Sequence, residues 1–298
     1  MAARAPFGRM LTAMVTPFAS DGSLDPDGAA TLATHLIDAG NDGLVVNGTT
    51  GESPTTTDAE QEAVIRAVAE AVGGRAHVIA GVGTNDTAHS VELARQAEKA
   101  GATALLVVSP YYSKPPQTGL LAHFRQVADA TDLPVMLYDI PGRTGVPIAT
   151  ETHLRLAEHP RIVAVKDAKD DLAAASEVLA RTDLAFYSGT DVLTLPLLSV
   201  GATGVVSVAS HVVTAQMVQL LDAYVAGDVD RALSIHQQLL PVFVGIFRTQ
   251  GVILAKAALR LLGLPGGPVR SPLVDATDDE VAMLRADLAA GGVAVPTS

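Results

Sequence analysis

The sequence predicts a (β/α)₈ barrel with a helical extension at its C-terminal end. Three observations carry that expectation. Eight short runs of branched apolar residues recur along the first ~225 residues, stretches with helical spacing separate them, and the runs are apolar at consecutive positions, as strands covered on both faces are. A doubly wound open sheet is the alternative. Against it, no G-x-G-x-x-G follows the first run, and eight strands are what a closed parallel barrel of the TIM type requires.

The first strand is "LTAMVTPF". Arg4 and Arg9 precede it in the manner of a leader peptide, but Pro17 and Asp21 interrupt the apolar stretch and no small-residue cleavage site follows. "GLVVNG" and "HVIAGVG" are the second and third strands, and "DAEQEAVIRAVAEAV" (58–72) lies between them with apolar residues on one helical face. "TAHSVELARQAEKAGA" (87–102) leads to the fourth strand, "ALLVVSP". "VMLYDI", "IVAVKDA", "LAFYSG" and "GVVSV" complete the eight. Many intervening stretches open on Asp, Ser or Thr and close on Gly, which satisfies the unpaired amides and carbonyls at helix ends. From residue 229 the strand pattern stops. Helical periodicity continues in "RALSIHQQLLPVFVGIF" and "GVILAKAALRLLG", up to the punctuation "GLPGGPVRSP". The expected division is therefore a barrel over 1–228 and a helical domain over 229–298.

Across 298 residues, 48% are hydrophobic, ample for a closed core, and the positive mean hydropathy of +0.31 reflects buried strands and alanine-rich helices. No apolar stretch approaches the ~18 residues that span a bilayer. A net charge of -12 without any Lys/Arg-rich run argues against nucleic acid or an anionic membrane as partner. With no cysteine there is neither a disulfide framework nor a thiolate metal site, and a cytoplasmic location is expected.

In such barrels the reactive groups gather where strands end. Only five lysines occur, and of these Lys166 alone directly ends an apolar strand, in "RIVAVKDAKDD". Desolvation there would draw its pKa from about 10.4 towards ~7–8, at a cost of roughly 3–4 kcal/mol. The chemistry that wants a neutral amine in a dry pocket is carbinolamine and Schiff-base formation with a ketone. A structural lysine paired with Asp167 or another carboxylate is the competing account. Tyr138 ends the preceding strand, where a phenol either shuttles protons or simply packs. "GTTGE" (48–52) offers two hydroxyls and several backbone N–H groups suited to a carboxylate, or is an ordinary capped turn. Arg143 either clamps a second carboxylate or is a solvated loop residue, and Tyr111 and Tyr112 are loop anchors or a further reactive phenol. Asp167, Asp170 and Asp171 hint at Mg²⁺, although Asp170 or Asp171 would equally cap the next helix. There is no H-x-x-x-H and no G-x-S-x-G, so zinc and serine-hydrolase chemistries are not indicated.

Together these residues resemble the pyruvate-dependent class I aldolases and lyases, which share a glycine/threonine turn after strand 2, a strand 5 tyrosine and a strand 6 Schiff-base lysine. The likeness runs nearly end to end. "GTTGES", "SPYYSKP", "YDIPGRTG", "VKDAK" and "GATGVVSV", in this order, are similar to the branch that condenses pyruvate with L-aspartate 4-semialdehyde on the lysine and diaminopimelate route. The resemblance implies that Lys166 forms the imine with pyruvate, without metal or organic cofactor, while Tyr138 transfers protons. Thr49 and Tyr112 would complete a proton relay. Thr50 would hold the pyruvate carboxylate, Val206 and Gly189 would belong to the substrate pocket, and Arg143 would meet the carboxylate of the semialdehyde. In that family the relay tyrosine reaches in from an adjacent subunit, so Tyr112 implies a homo-oligomer, usually a tetramer of two tight dimers. Arg143 favours this branch over the sialic-acid and keto-deoxy-sugar lyases.

Two departures stand out. Thr190 in "SGTD" replaces the usual first aspartate after strand 7. Ser53, Asn85 and Tyr111 fit the family's lysine-binding allosteric pocket, but Asp58, Gln61 and His89 stand where inhibited members often carry histidines or a glutamate, so weak or absent feedback is expected. The rival functions are an aldolase cleaving a 2-keto-3-deoxy sugar acid, a metal-assisted barrel enzyme built on the three aspartates, and an inactive barrel retained as a sugar-acid sensor.

Overall fold

The computed structural model describes residues 5–296. Eight parallel strands close on themselves in sequence order: β1 (Met10–Ala13), β2 (Gly43–Val46), β3 (His77–Gly81), β4 (Ala104–Val108), β5 (Val135–Asp139), β6 (Ile162–Asp167), β7 (Ala185–Ser188) and β8 (Gly204–Ser207). Closure is made by β8 against β1, with Met10, Leu11 and Thr12 opposite Val205, Val206 and Ser207. All eight apolar runs are strands of a TIM barrel, and nearly every residue in them is buried, because side chains fill the barrel on one face while helices cover the other.

The helices outside the sheet are α1 (Pro26–Asp38), α2 (Asp58–Val72), α3 (Thr87–Ala100), α4 (Gln117–Ala128), α5 (Pro141–Thr144), α6 (Thr150–Leu156), α7 (Leu172–Arg181), α8 (Thr194–Ser199) and α9 (Ser210–Val225). Their starts follow from local chemistry. Asp25, Asp86 and Asp171 accept backbone N–H bonds at the first turns of α1, α3 and α7, and Thr57 with Glu60 forms a reciprocal capping box on α2. Short 3₁₀ turns at Ser53–Thr55 and Asp191–Leu193 follow β2 and β7.

Three further helices form the extension: α10 (Val229–Ile246), α11 (Gly251–Leu261) and α12 (Asp278–Ala290). The first two lie where helical periodicity is read in the sequence. The third is not anticipated, because only Leu284 and Leu288 of its residues are buried and the apolar stripe is too thin to register; its one local signal is the capping box Thr277-x-x-Glu280. α10 packs on α9 and α12, and the apolar core runs without a break from the barrel into Leu239, Val242, Phe243, Ile246 and Leu254. Among the described residues no single helix is long and apolar enough to cross a membrane; α10 and α11 reach that length only as a pair bent by 109°.

One irregularity in the sheet decides what meets at the strand ends. Val135 pairs with Ile162, but Met136 pairs with Ala164, so the β5/β6 register slips by one residue and Val163 is left half-buried beside it. Neighbouring residues in register share a face, and a slip of one exchanges faces. With the slip, Tyr138 stands opposite Lys166; without it, Tyr138 would face Val165.

Candidate active site

Lys166 is the fifth residue of β6, behind four apolar positions, and is 5% exposed. Its Nζ lies 4.3 Å from the centre of the Tyr138 ring, itself 5% exposed. Burial pulls the ammonium down to a pKa of about 8, opposed by the charge of Asp191 and assisted by that of Arg143. Burial pushes the Tyr138 phenol up to about 12, against the opposing influence of the Arg143 charge and of Thr49, so it keeps its proton at neutral pH. Among the described residues the lysine ion pairs are Lys169 with Asp171 and Lys256 with Glu52; Lys166 has none. That separates the two accounts left open by the sequence, since Asp167 turns to accept the N–H groups of Lys169 and Asp170 at 2.8 and 3.3 Å. Gly189 lies against the lysine's stem: a Cβ there would come within 3.2 Å of Lys166 Cε and 3.1 Å of Ala168 Cβ.

The turn after β2 is held between two non-glycine residues in the left-handed region, Asn47 (φ 56°) and Glu52 (φ 55°). Asn47 Nδ2 donates to the Gln61 carbonyl at 3.0 Å, and the Thr16 hydroxyl donates to the Gly51 carbonyl at 2.7 Å. Gly51 N–H and Glu52 N–H bond back to Gly48 and Thr49, whereas among the described residues the N–H groups of Thr49 and Thr50 donate to no protein acceptor. Thr50 is buried and Thr49 half-buried. Two free amides beside two hydroxyls form a concavity that suits a carboxylate.

A cavity of about 390 Å³ opens over these groups, with Thr49, Tyr138, Arg143, Tyr111, Tyr112 and Ser53 on its wall. Lys166 is not on the wall but touches Tyr138, which is; Thr50, Val206 and Gly189 are likewise off it, Val206 fully buried in β8. Arg143, exposed on α5, makes no ion pair among the described residues, so its guanidinium faces the cavity uncommitted. Tyr112 is 90% exposed with φ of 69°, and its ring packs on almost nothing in its own chain. Tyr111 is half-buried, which raises its phenol pKa.

Over residues 6–291 the sequence matches the Dihydrodipicolinate synthetase family. The chain belongs to this family. A 4-hydroxy-tetrahydrodipicolinate synthase of Acidothermus cellulolyticus is 73% identical over 288 residues, covering 97% of this chain and 94% of the relative. Among solved structures, the enzyme of Cyanidioschyzon merolae, crystallised with lysine bound, superposes with a TM-score of 0.95 at 46% identity and covers 97% of this chain and 99% of its own. The chloride-inhibited dihydrodipicolinate synthase of Acinetobacter baumannii, complexed with pyruvate, gives 0.93 at 33% identity over 97% and 100%.

Within this dihydrodipicolinate synthetase fold, three residues beyond those singled out by the sequence bear on the site. Asp191, 2% exposed, accepts from the Ser207 hydroxyl and from the N–H groups of Val208 and Ala209 at 3.2 and 3.1 Å; its charge is the one that opposes deprotonation of Lys166. It follows directly on Thr190, so the motif "SGTD" is its signal. Thr190 itself donates to Asp170 Oδ1 at 2.8 Å, tying the loops after β6 and β7 together. Glu52 and Lys256 are the other two, joined in a buried ion pair that no local pattern announces. Asp171 caps α7, in line with the sequence, and among the described residues no three metal-ligating side chains come together. Of the expected allosteric set, Ser53 and Tyr111 reach the cavity wall, while Asn85 is exposed and off it; Asp58 and His89 pair at 3.0 Å.

Proposed function

We propose that this chain condenses pyruvate with L-aspartate 4-semialdehyde to 4-hydroxy-tetrahydrodipicolinate in lysine and diaminopimelate biosynthesis. The observation that carries the proposal is Lys166: buried, unpaired, with a depressed pKa, and in contact with the phenol of Tyr138, which shares the cavity wall with Thr49. The neutral amine attacks the keto carbon of pyruvate, and Tyr138 supplies the proton with which the carbinolamine loses water. The protonated imine is the electron sink, so no metal or organic cofactor is required. Loss of a methyl proton gives the enamine, whose terminal carbon bonds to the aldehyde carbon of the second substrate. The amino group of that substrate then adds to the imine carbon and displaces Lys166, closing the ring and freeing the amine.

In this scheme the Thr50 hydroxyl and the free amides of Thr49 and Thr50 take the pyruvate carboxylate, the Thr49 hydroxyl serves the proton relay with Tyr138, and Val206 and Gly189 shape the floor. Arg143 takes the carboxylate of the semialdehyde by paired N–H bonds. Tyr112, exposed in its own chain, serves the relay of a neighbouring subunit, and the assembly is a tetramer built from two dimers, working in the cytoplasm. Sodium borohydride should trap pyruvate on the protein, with the adduct mapped by peptide mass to Lys166, and Lys166→Arg should lower kcat by ~10³-fold or more. No adduct, or an adduct on another lysine, would overturn the proposal.

A further inference from the structure

Lys256 is 0% exposed, on a helix of the C-terminal extension, and the mechanism above makes no use of it. Its Nζ lies 2.6 Å from Glu52 Oε1, donates to the Pro268 carbonyl at 2.7 Å, and stands 4.2 Å over the Phe18 ring. The second oxygen of the same carboxylate, Oε2, accepts the backbone N–H of Arg270 at 2.9 Å. Arg270 in turn stacks 4.0 Å over Phe18 and bonds Glu60, the Thr55 carbonyl and the Gly22 carbonyl. Both oxygens of Glu52 are therefore gripped from the extension.

A wholly buried ion pair is a poor device for stability, because desolvating two charges offsets most of their attraction. What it does well is fix position. Glu52 holds an unfavourable left-handed backbone conformation at the end of the turn that carries the two uncommitted amides. Left unanchored, a non-glycine residue would relax from φ of 55° and draw Gly51, Thr50 and Thr49 with it.

We propose that Lys256 is a positioning residue for the keto acid: from the extension it pins Glu52, and so presents the amides of Thr49 and Thr50 to the substrate carboxylate. The inference rests on the function proposed above. Lys256→Met keeps the unbranched stem as far as the Cε position and removes the charged nitrogen. It should raise the pyruvate concentration for half-maximal borohydride trapping, and KM for pyruvate, by about tenfold, while KM for the semialdehyde and the adduct position stay unchanged. Glu52→Gln should move pyruvate KM in the same direction by a smaller factor. A folded Lys256→Met protein, verified by circular dichroism, that traps pyruvate at the wild-type concentration would overturn the inference. Should that variant not fold, Glu52→Gln decides in the same way. Should neither fold, amide exchange of the intact enzyme decides: pyruvate should protect 251–261 as well as 48–52, and protection of the turn alone would overturn the inference. Wild-type protein that fails to trap pyruvate defeats the function itself; normal wild-type trapping with unaltered variants defeats only the role of Lys256.

Discussion

An amine that attacks a carbonyl carbon must first shed its proton, and at Lys166 the surroundings lower the cost of doing so. Its pKa of about 8 leaves a substantial neutral fraction near physiological pH, where an ordinary lysine would have almost none. The kcat/KM for pyruvate should therefore rise about tenfold per pH unit on the acid side and level off near pH 8. A limb that continued climbing to pH 10 would mean that burial does not tune this group. The same depression makes the folded state bind fewer protons than the unfolded chain between about pH 8 and 10.5, so this residue's contribution to stability improves as pH rises through that window. Lys166 is legible from sequence because a cation behind four apolar strand residues is expensive and its position in the strand is local information. Lys256 is not: it sits among alanines and leucines like any helix lysine, and the carboxylate that gives it meaning arrives through tertiary folding.

Among the elements, β5 and β6 carry the most consequence. Their one-residue slip places Tyr138 beside Lys166, and it also sets Asp139 opposite Asp167, two buried carboxyls in adjacent strands. Asp139 accepts only the Ile148 N–H, at 3.1 Å, and its Oδ2 is without a partner among the described residues. Burial first, then the charge of Asp167, push it up to about 7, with Lys169 and the Ile148 amide pulling the other way. A raised carboxyl favours the folded state most below pH 4, and that contribution is lost as pH climbs to 7. Asp139→Asn should consequently raise Tm, with a gain of ~1–3 kcal/mol above pH 7 that closes towards pH 4. A gain independent of pH would point to packing instead. The strands themselves were readable from consecutive branched apolar residues. The slip was not, because Val163 looks like its neighbours and only the fit of two strands reveals it.

At the scale of the whole molecule, alternation of strand and helix specifies the barrel, and the resemblance of five ordered motifs supplies the family. The last helix escapes because little of it is apolar; of the cavity wall, Thr49, Ser53, Tyr111, Tyr112, Tyr138 and Arg143 are named from sequence, while the strand residues between them, such as Gly81 and Leu106, escape because the strands converge only on closure. Tyr112 belongs to this scale too, since nothing in its own chain holds its ring. If it serves the neighbouring subunit, two crippled proteins can rescue each other. A Lys166→Arg chain still offers its phenol, and a Tyr112→Phe chain still offers its amine, so hybrids formed after unfolding and refolding an equal mixture should recover about a quarter of wild-type turnover, as random pairing into dimers dictates. Activity no greater than the average of the two parents would mean that each polypeptide furnishes its own relay. Such complementation would make the working unit a shared possession of two polypeptides, so that a defect in one allele is partly masked by a different defect in another.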